Sequence, residues 1–564
     1  MAQVHGNTTG LKSSGLRALE RIYRRRVPSN VLVTAELARC MTELSRAMRR
    51  QIGVIIDRGG RVVSVIVGDE REIVIPLLED YPLGRRRLRG VRCVHTHLKN
   101  EPLSRDDLTD LALLRLDMMA AIGVGEDGLP ADIYTAHLLA PGRRQGRPSE
   151  GEGTAGVVET APAVPFHSFS LALDSFIEAL EEEMARASAL AVDDGRERAI
   201  LVSVSTASRD EQLERLDELA ELAATGGVVV IDRLCQRPRR IHPKYLMGSG
   251  KLKEVVIRAL QKEATLLVFD QELTPVQVRE IGKVTELKVI DRTQLILDIF
   301  ARRAHSRDGK VQVELAQLRY RLPLLTGKGT ALSRLMGGIG GRGPGETKLE
   351  IDRRRVQERI TRLEKELESL GRGRRQRRRR RAESGIPIIS IVGYTNAGKS
   401  TLLNALTASS TLVEDRLFAT LDTATRRLRF PRERDAVITD TVGFIRDLPA
   451  DLKRAFRSTL EEMEDADLLL HLVDISSPGF EGRMETVVGL LEEMGLDRIP
   501  TLLVFNKTDL VDPSYVRRMC RKYGAVALSA REPDTFGPLL RTMEAMLWPD
   551  ETAERGADAG AVPA

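Results

Sequence analysis

Apolar residues recur along this chain with two different spacings, and each spacing predicts a different kind of element. Four short runs of aliphatic and β-branched residues alternate with longer amphipathic segments, of which 211–224 and 251–262 are examples. The short runs have the length and composition of buried strands, whereas the amphipathic segments have the length of helices. Strands that alternate with helices predict a parallel sheet covered by helices. The four runs occupy residues 200–204, 228–231, 266–269 and 287–290.

A longer helical pattern follows this α/β block. Its apolar residues are separated by seven, four or three positions, which is the stripe of a short coiled coil or a helical hairpin. We expect the partner helix at 311–325 and a connecting glycine-rich loop at 337–345. The apolar residues of the stripe are Leu349, Val356, Ile360, Leu363, Leu367 and Leu370.

Length and composition restrict the class of protein. A chain of 564 residues is expected to hold three to four domains, given about 150 residues per domain. Its 42% hydrophobic and 30% charged residues are typical of soluble globular proteins, and no apolar run has the length needed to cross a bilayer. The N-terminus lacks an apolar signal region, and the four cysteines are far apart. We therefore expect a cytoplasmic protein with reduced thiols and no membrane insertion.

The positive charge of the chain is concentrated in one place. Lysine plus arginine (87) exceeds aspartate plus glutamate (81) by only 6, yet eight of the ten residues at 372–381 are arginine. Guanidinium groups bind phosphates and stack on exposed bases, so this run, together with Arg342 of the predicted loop and with Lys328 and Arg334 before that loop, favours an RNA contact. The alternative is that the run is a solvated linker whose charges repel one another.

The strongest motif lies after the arginine run. A buried-strand pattern at 388–392 leads into Gly-Tyr-Thr-Asn-Ala-Gly-Lys-Ser at 393–400 and then into a helical pattern at 401–407. Strand, glycine loop and helix form the context of a phosphate-binding loop, in which backbone N–H groups and the helix N-terminus surround phosphate oxygens. Lys399 would reach the β- and γ-phosphates, and the hydroxyl of Ser400 would bind Mg²⁺.

Three further elements follow in the order typical of a small GTPase. Asp440 ends a strand pattern and can hold the magnesium ion through water, while Gly443 carries the N–H that faces the γ-phosphate. Asp509 can accept both N1–H and N2–H of guanine, a donor pair that adenine lacks. Thr420 stands where a switch threonine could bind Mg²⁺. The predicted GTP-binding residues are Gly393, Tyr394, Thr395, Asn396, Ala397, Gly398, Lys399, Ser400, Thr401, Phe418, Ala419, Thr420, Leu421, Asp422, Asp440, Thr441, Val442, Gly443, Asn506, Lys507, Thr508, Asp509, Ser529 and Ala530.

Two positions of this pattern concern hydrolysis. Phe444 follows Gly443, where many GTPases have a glutamine that orients the attacking water, and a phenyl ring cannot make that hydrogen bond. Intrinsic hydrolysis is therefore expected to be slow until another group orders the site, and no residue is assigned as catalytic. Asn396 resembles the asparagine that helps potassium-stimulated GTPases to hold K⁺; the alternative is an asparagine that only tolerates the turn.

The block before the nucleotide motif resembles the signatures of the HflX-type GTPases. The strings at 245–251, 291–304 and 337–350 carry this resemblance, which extends over 199–548. It implies an α/β domain and a helical hairpin before the GTPase domain, and a protein that binds the large ribosomal subunit and its RNA, splitting or rescuing stalled ribosomes. Two alternatives stay open: an RNA-binding assembly factor whose GTPase domain is a timer, and a GTP-gated metallopeptidase.

The metallopeptidase alternative comes from the N-terminal part of the chain. His95 and His97 are two positions apart on a predicted strand, so they project to one side, and Asp107 on the following helix could complete a zinc site. The pattern resembles the His-x-His…Ser-x-x-Asp motif of the JAMM (MPN) metalloproteases, with Leu98 where that family has proline. Glu43 is the candidate for the upstream glutamate that the family also uses.

The predicted fold is a multidomain α/β protein: a C-terminal P-loop GTPase domain, a preceding parallel α/β domain with its helical hairpin, and an N-terminal α+β extension. We expect a monomer that uses Mg²⁺ and binds GTP and GDP. The predicted divisions are a flexible tail at 1–30, the extension at 31–140, a disordered linker at 141–165, a helical segment at 166–198, the α/β domain at 199–305, the hairpin at 306–371, an arginine-rich linker at 372–385, the GTPase domain at 386–549 and a disordered tail at 550–564.

Overall fold

The structure is a computed structural model of the chain. The residues that it describes are 3–76, 78, 80–81, 88–140, 157–190, 196–285, 287–325, 345–382, 385–407, 424–430, 434–441, 443–446 and 463–549. The predicted glycine-rich loop and the segment that carries Thr420 lie outside these residues, as does the predicted tail at 550–564.

An eight-stranded mixed sheet forms the N-terminal domain, in the order β1-β3-β2-β4-β5-β6-β7 with β8 paired to β6. Its apolar core lies between this sheet and the helices. The strands are β1 (Val4–Gly6), β2 (Ile52–Asp57), β3 (Val62–Val67), β4 (Val91–His97), β5 (Met119–Val124), β6 (Pro130–Leu138), β7 (Val158–Thr160) and β8 (Val164–Pro165), and the helices are α1 (Ser13–Ile22), α2 (Ala35–Met48), α3 (Arg105–Leu114) and α4 (Leu173–Leu190).

The N-terminal domain is larger than the sequence predicted. The flexible tail expected at 1–30 is wrong, because β1 pairs in parallel with β3 and the side chains of Leu19 and Ile22 on α1 are fully buried. The linker expected at 141–165 is wrong at its C-terminal end, where β7 and β8 extend the sheet. The strands in these segments have two or three residues each, so their order depends on pairing with strands elsewhere in the chain and, for the first segment, on the packing of α1.

The middle of the chain forms a four-stranded parallel sheet in the order β10-β9-β11-β12. The four strands predicted from the apolar runs are confirmed, as are the two helices predicted between them. The elements of this α/β domain are β9 (Arg198–Val204), α5 (Arg209–Thr225), β10 (Val229–Gln236), α6 (Ser249–Gln261), β11 (Leu266–Phe269), α7 (Pro275–Val284), β12 (Lys288–Asp291) and α8 (Arg292–Arg303).

Two helices then pack together through an apolar seam, as the sequence predicted: α9 (Arg307–Arg321) and α10 (Gly345–Ala382). Arg359 of α10 donates two hydrogen bonds to the carboxylate of Glu314 on α9, both at 2.8 Å. The expected linker at 372–385 is wrong over most of its length, because α10 continues through the arginine run. Arginine is a good helix former, so the run extends the helix rather than ending it.

A six-stranded sheet, in the order β14-β15-β13-β16-β17-β18, forms the C-terminal domain. Strand β14 is antiparallel to β15, and the other neighbours are parallel. The elements are β13 (Ile388–Gly393), α11 (Lys399–Leu406), β14 (Ala424–Arg429), β15 (Asp435–Asp440), β16 (Leu468–Asp474), α12 (Phe480–Glu493), β17 (Thr501–Asn506), α13 (Pro513–Tyr523), β18 (Val526–Ala527) and α14 (Phe536–Leu547).

The α/β domain and the C-terminal domain share one apolar core. Leu295 and Ile299 of α8 belong to the same buried cluster as Tyr394 and Phe444 of the C-terminal domain. The N-terminal domain meets the α/β domain along α3 and α6, where Lys253 Nζ lies 3.3 Å from a carboxylate oxygen of Asp110. Among the helices in the described part of the chain, none has the length and apolarity that a membrane span requires.

Candidate functional site

The loop at 393–400, called the P-loop below, connects the central strand β13 to α11, and two glycines decide its shape. Gly393 has a φ of 156°, and a Cβ there would lie 2.3 Å from the carbonyl oxygen of Leu472. Gly398 has a φ of 89°, and a Cβ there would lie 2.3 Å from Nδ2 of Asn506. Contacts this short with backbone and with a buried amide leave room only for glycine.

Asn396 occupies the outer turn of the P-loop. Its φ is 63°, in the left-handed region, and its side chain is exposed. Asparagine adopts this conformation more readily than most residues, which suits it to the turn.

Lys399 and Ser400 begin α11 at the inner side of the P-loop. Lys399 Nζ donates to the carbonyl oxygens of Gly393 at 3.1 Å and Tyr394 at 2.8 Å. Burial lowers the pKa of Lys399 to about 8. The hydroxyl of Ser400 donates to the carboxylate of Asp440 at 2.6 Å. A buried lysine suits a nucleotide phosphate, and a hydroxyl beside a carboxylate suits the Mg²⁺ ion that accompanies it.

Asn506 connects the P-loop to the predicted base pocket. Its amide donates to the carbonyl oxygen of Ala397 at 2.8 Å and accepts the N–H of Ala530 at 2.9 Å, and the side chain is 1% exposed. Asp509 follows on a short helical turn with its carboxylate exposed. The structure therefore brings the P-loop, the Asn-Lys-Thr-Asp segment and Ser529–Ala530 together at one edge of the sheet, as the sequence predicted.

Lys507 and Thr508 lie between these two residues. Lys507 Nζ is 2.7 Å from a carboxylate oxygen of Asp474 at the end of β16. The N–H of Thr508 donates to the carbonyl oxygen of Leu528 at 3.4 Å. These contacts hold the segment that presents Asp509. On the other side of the P-loop, the hydroxyl of Thr441 donates to the carbonyl oxygen of Ile391 at 2.7 Å and ties the end of β15 to β13.

Phe444, the residue after Gly443, is buried. Its side chain is 3% exposed and packs in the apolar core shared with the α/β domain. Its backbone pairs with the P-loop: its N–H donates to Gly393 at 3.1 Å, and its carbonyl oxygen accepts the N–H of Thr395 at 2.8 Å. The phenyl ring is thus a packing group in the core between the two domains.

His471 was not among the residues predicted from sequence. It lies on β16 beneath the P-loop with 2% of its surface exposed, and Nε2 has no hydrogen-bond partner among the described residues. Burial, with the charge of Lys399 adding to it, lowers the pKa of His471 to about 4, so the ring is neutral at physiological pH. A single polar residue within the apolar run at 468–473 is the signal that could have identified it.

Several predicted residues lie outside the described part of the chain. They are Phe418, Ala419, Thr420, Leu421, Asp422 and Val442. Magnesium binding by Thr420 therefore stays a prediction, as does the RNA contact of Lys328, Arg334 and Arg342.

In the N-terminal domain, His95, His97 and Asp107 meet as predicted. The two Nε2 atoms are 3.0 Å apart, and the carboxylate of Asp107 lies 3.3 Å from Nε2 of His95 and 3.4 Å from Nε2 of His97. All three side chains are buried. Burial raises the pKa of Asp107, but its contacts with both histidines outweigh this and hold the pKa well below its usual range. The ring of His97 contacts the carbonyl oxygen of Glu101 through Nδ1, at 3.0 Å.

Glu43, the candidate upstream glutamate, is not part of this cluster. It lies on the exposed face of α2, where it accepts a hydrogen bond from Arg39 at 2.8 Å. Among the described histidine, cysteine, aspartate and glutamate residues, only His95, His97 and Asp107 form a group close enough to share a metal ion. The choice of Glu43 is therefore wrong: helical periodicity places it on the opposite face from the buried residues of α2.

Comparison with known proteins gives matches over the middle and C-terminal parts of the chain. Three family models match: "GTP-binding GTPase N-terminal" at 213–301, "GTP-binding GTPase Middle Region" at 303–381 and "50S ribosome-binding GTPase" at 388–507. The GTPase HflX of Caldanaerobacter subterraneus subsp. tengcongensis is 50% identical over 331 residues, which are 59% of this chain and 75% of the relative. The GTPase HflX of Escherichia coli is 44% identical over 319 residues, 57% of this chain and 75% of the relative.

A solved structure is also similar. It is that of a GTP-binding protein from the hyperthermophilic archaeon Sulfolobus solfataricus in complex with GDP, with 25% identity and a TM-score of 0.35 over 62% of this chain and 99% of that chain. The N-terminal domain precedes the first residue of the matched family models.

Proposed function

The chain belongs to the HflX family of GTPases, and from that premise we propose that it associates with the large ribosomal subunit in its GTP-bound state and splits or rescues stalled ribosomes. It binds GTP and hydrolyses it to GDP and phosphate. The observation that carries the proposed partner is the match of 388–507 to the model described as a 50S ribosome-binding GTPase.

The geometry of the P-loop supports a role for each residue in the nucleotide reaction. Lys399 balances the charge of the β- and γ-phosphates, and Asn506 and Asp509 hold the guanine base. Ser400 and Asp440 are the residues that would hold Mg²⁺, Asp440 through water. When bound, Mg²⁺ neutralises charge that develops on the phosphates. Catalysis in such a site consists mostly of positioning and electrostatic stabilisation.

The long helix α10 supports contact with RNA. Its 38 residues span about 57 Å at 1.5 Å per residue, and the arginine run forms its C-terminal part. Packing against α9 makes the first part of this helix rigid. Guanidinium groups bind phosphates, so an arginine run at the end of this helix suits a phosphate backbone.

The proposal predicts that purified large subunits accelerate GTP hydrolysis by the full-length protein. We expect at least about a tenfold increase in the rate. Phe444 cannot orient the attacking water, so in this proposal the large subunit orders the site. Phosphate release with and without large subunits measures this increase, and an unchanged rate would contradict ribosome association.

If Lys399→Ala binds subunits equally well with GTP, GDP or no nucleotide, while the wild type discriminates among them, the switch role holds. If the wild type does not discriminate either, the protein is an RNA-binding assembly factor.

The contribution of the arginine run is measured by salt dependence. We expect replacement of its arginines by glutamine to weaken large-subunit binding and to flatten its dependence on salt, by roughly 0.7–0.9 in the log–log slope for each phosphate that is no longer neutralised. Arg354 and Arg355 of the same helix are exposed, and their replacement by glutamine is the matched control. Equal affinity and slope in the run variant and the wild type would show that the run does not contact phosphates.

We propose a second function for the N-terminal domain, the binding of Zn²⁺ by His95, His97 and Asp107. Two imidazole nitrogens and a carboxylate that converge in a buried place are the ligands that zinc prefers. Donation of the Nδ1 proton of His97 to the carbonyl oxygen of Glu101 would leave Nε2 free to bind the metal. Peptide hydrolysis needs a general base beside a metal-bound water, and Glu43 does not supply one, so this proposal is limited to metal binding.

Elemental analysis of full-length protein purified without chelator tests the zinc proposal. We expect about one zinc ion per chain, lost in His97→Ala and Asp107→Ala, because a site with two remaining ligands binds zinc weakly. The matched control is His137→Ala, which removes a histidine of the same domain that lies 3.6 Å from Glu159. Absence of zinc from the wild type, even after incubation with zinc, would contradict the proposal.

A K⁺ ion beside Asn396 stays a prediction. The GTP hydrolysis rate measured with Na⁺ in place of K⁺ tests it.

A further inference from the structure

Four residues from the α/β and C-terminal domains form a closed ring of polar contacts beside the P-loop. The hydroxyl of Tyr394 donates to the carboxylate of Glu218 on α5 and accepts the N–H of Arg446 at 2.8 Å. Arg292, the first residue of α8, lies 3.1 Å from the second carboxylate oxygen of Glu218. It also donates to the carbonyl oxygen of Arg446 at 3.0 Å. Both backbone polar groups of Arg446 are therefore engaged in the ring.

The ring is buried at the contact between the two domains. The exposed fraction is 7% for Tyr394, 8% for Glu218 and 4% for Arg292. Burial and the neighbouring carboxylate raise the pKa of Tyr394, so its hydroxyl keeps its proton and donates. Loss of Tyr394 or Glu218 removes one contact from each of its buried neighbours, which is costly, so the ring holds its geometry firmly. Arg292 has a second carboxylate partner outside the ring, Asp270 at 3.5 Å.

This ring fixes the segment that follows Gly443. The backbone of Phe444 exchanges two hydrogen bonds with the P-loop, and the side chains of Phe444 and Ile445 pack in the apolar core with Ile296 of α8. Arg446 is then held by the ring. Residues 444–446 are thus attached to the P-loop, to the apolar core and to the α/β domain, and the position of Gly443 follows from theirs.

We propose that Glu218 and Arg292 are positioning residues for GTP hydrolysis. They act through the hydroxyl of Tyr394 and the backbone of Arg446, and they hold residues 443–446 at the distance from the P-loop at which the γ-phosphate is recognised. The α/β domain thereby supplies part of the geometry of the GTPase site, where Phe444 cannot orient water. Because phosphoryl transfer depends mostly on positioning, displacement of this segment slows hydrolysis. The proposal does not depend on ribosome binding or on zinc.

Two conservative variants of the full-length chain test it. Tyr394→Phe removes only the hydroxyl, and Glu218→Gln keeps the size of the side chain and one acceptor oxygen. Single-turnover hydrolysis, normalised to sites titrated with fluorescent GDP, is expected to fall about tenfold in each. The rate of the double variant is expected to lie within about twofold of the lower of the two single-variant rates, because both changes break the same ring. GDP affinity is expected to stay within about twofold, since GDP has no γ-phosphate for residues 443–446 to recognise.

The matched control is Glu211→Gln, on the same helix as Glu218. The carboxylate of Glu211 is partly exposed and pairs with Arg215 at 3.2 Å, so its removal is expected to leave hydrolysis unchanged. An unchanged rate per titrated site in Tyr394→Phe, with only a lower Tm, would assign the ring a structural role and overturn the proposal. Additive losses in the double variant overturn it too, as does a loss of GDP affinity equal to the loss of rate.

Discussion

Lys399→Ala is expected to lower the affinity for GTP and GDP by at least about a hundredfold and to abolish measurable hydrolysis. The ammonium group of Lys399 lies inside the P-loop, held by the carbonyl oxygens of Gly393 and Tyr394. A bound phosphate would pair with this buried charge, and truncating one member of such a pair costs about 3–5 kcal/mol, or roughly 150- to 5,000-fold in affinity. Titration with fluorescent GDP and measurement of phosphate release determine both effects.

The control for this variant is a lysine outside the nucleotide site. Lys283 on α7 is partly exposed and pairs with Glu280 at 2.8 Å, so Lys283→Ala is expected to bind nucleotide like the wild type. Retention of GDP affinity within about threefold in Lys399→Ala would mean that the lysine does not pair with the phosphates, because a buried charge pair is worth more than that.

Asp509→Asn is expected to lower GTP affinity by about a hundredfold and to favour xanthosine triphosphate instead. The carboxylate of Asp509 is exposed, and we propose that it accepts N1–H and N2–H of guanine. Hydrogen bonds to a charged group contribute about 1.5–3 kcal/mol each, so loss of this pair accounts for a hundredfold change. The amide of asparagine offers one acceptor and one donor, and xanthine has a carbonyl oxygen in place of the 2-amino group. Competition of GDP and xanthosine diphosphate against a fluorescent nucleotide measures the preference.

Asp512 is the matched control, three positions further along the chain. Its carboxylate caps α13 by accepting the N–H groups of Ser514 and Tyr515, and asparagine caps helices equally well. Asp512→Asn is therefore expected to leave the preference for guanine unchanged. If Asp509→Asn also keeps that preference, the base is read by another group, and the assignment of this segment is wrong.

Patterns that act over a few residues were read correctly from sequence. The four strands of the α/β domain appear as apolar runs because both faces of a parallel sheet are buried, so their hydrophobicity is continuous. The P-loop was recognisable because its glycines, Lys399 and Ser400 stand within eight consecutive residues between a strand pattern and a helix pattern. Asn506 and Asp509 were predicted as base-binding residues for a similar reason, since one short segment carries both.

Segments whose order comes from distant partners were misread. Strand β1 has three residues, and only its pairing with β3 distinguishes it from a tail. The arginine run looks like a linker because its charges repel in an isolated peptide. In the chain it continues a helix whose first part is packed against α9.

The sequence by itself identified GTP as the ligand and determined the class of fold, and it predicted which residues bind the nucleotide, because these inferences depend on local spacing and on residue chemistry. It also placed His95, His97 and Asp107 as one group. Only the tertiary structure decided that Phe444 packs against the α/β domain and that Glu218 and Arg292 reach Tyr394 and Arg446. The two hydrogen bonds join residues 176 and 154 positions apart, and no local pattern encodes which buried charges meet when two domains pack together.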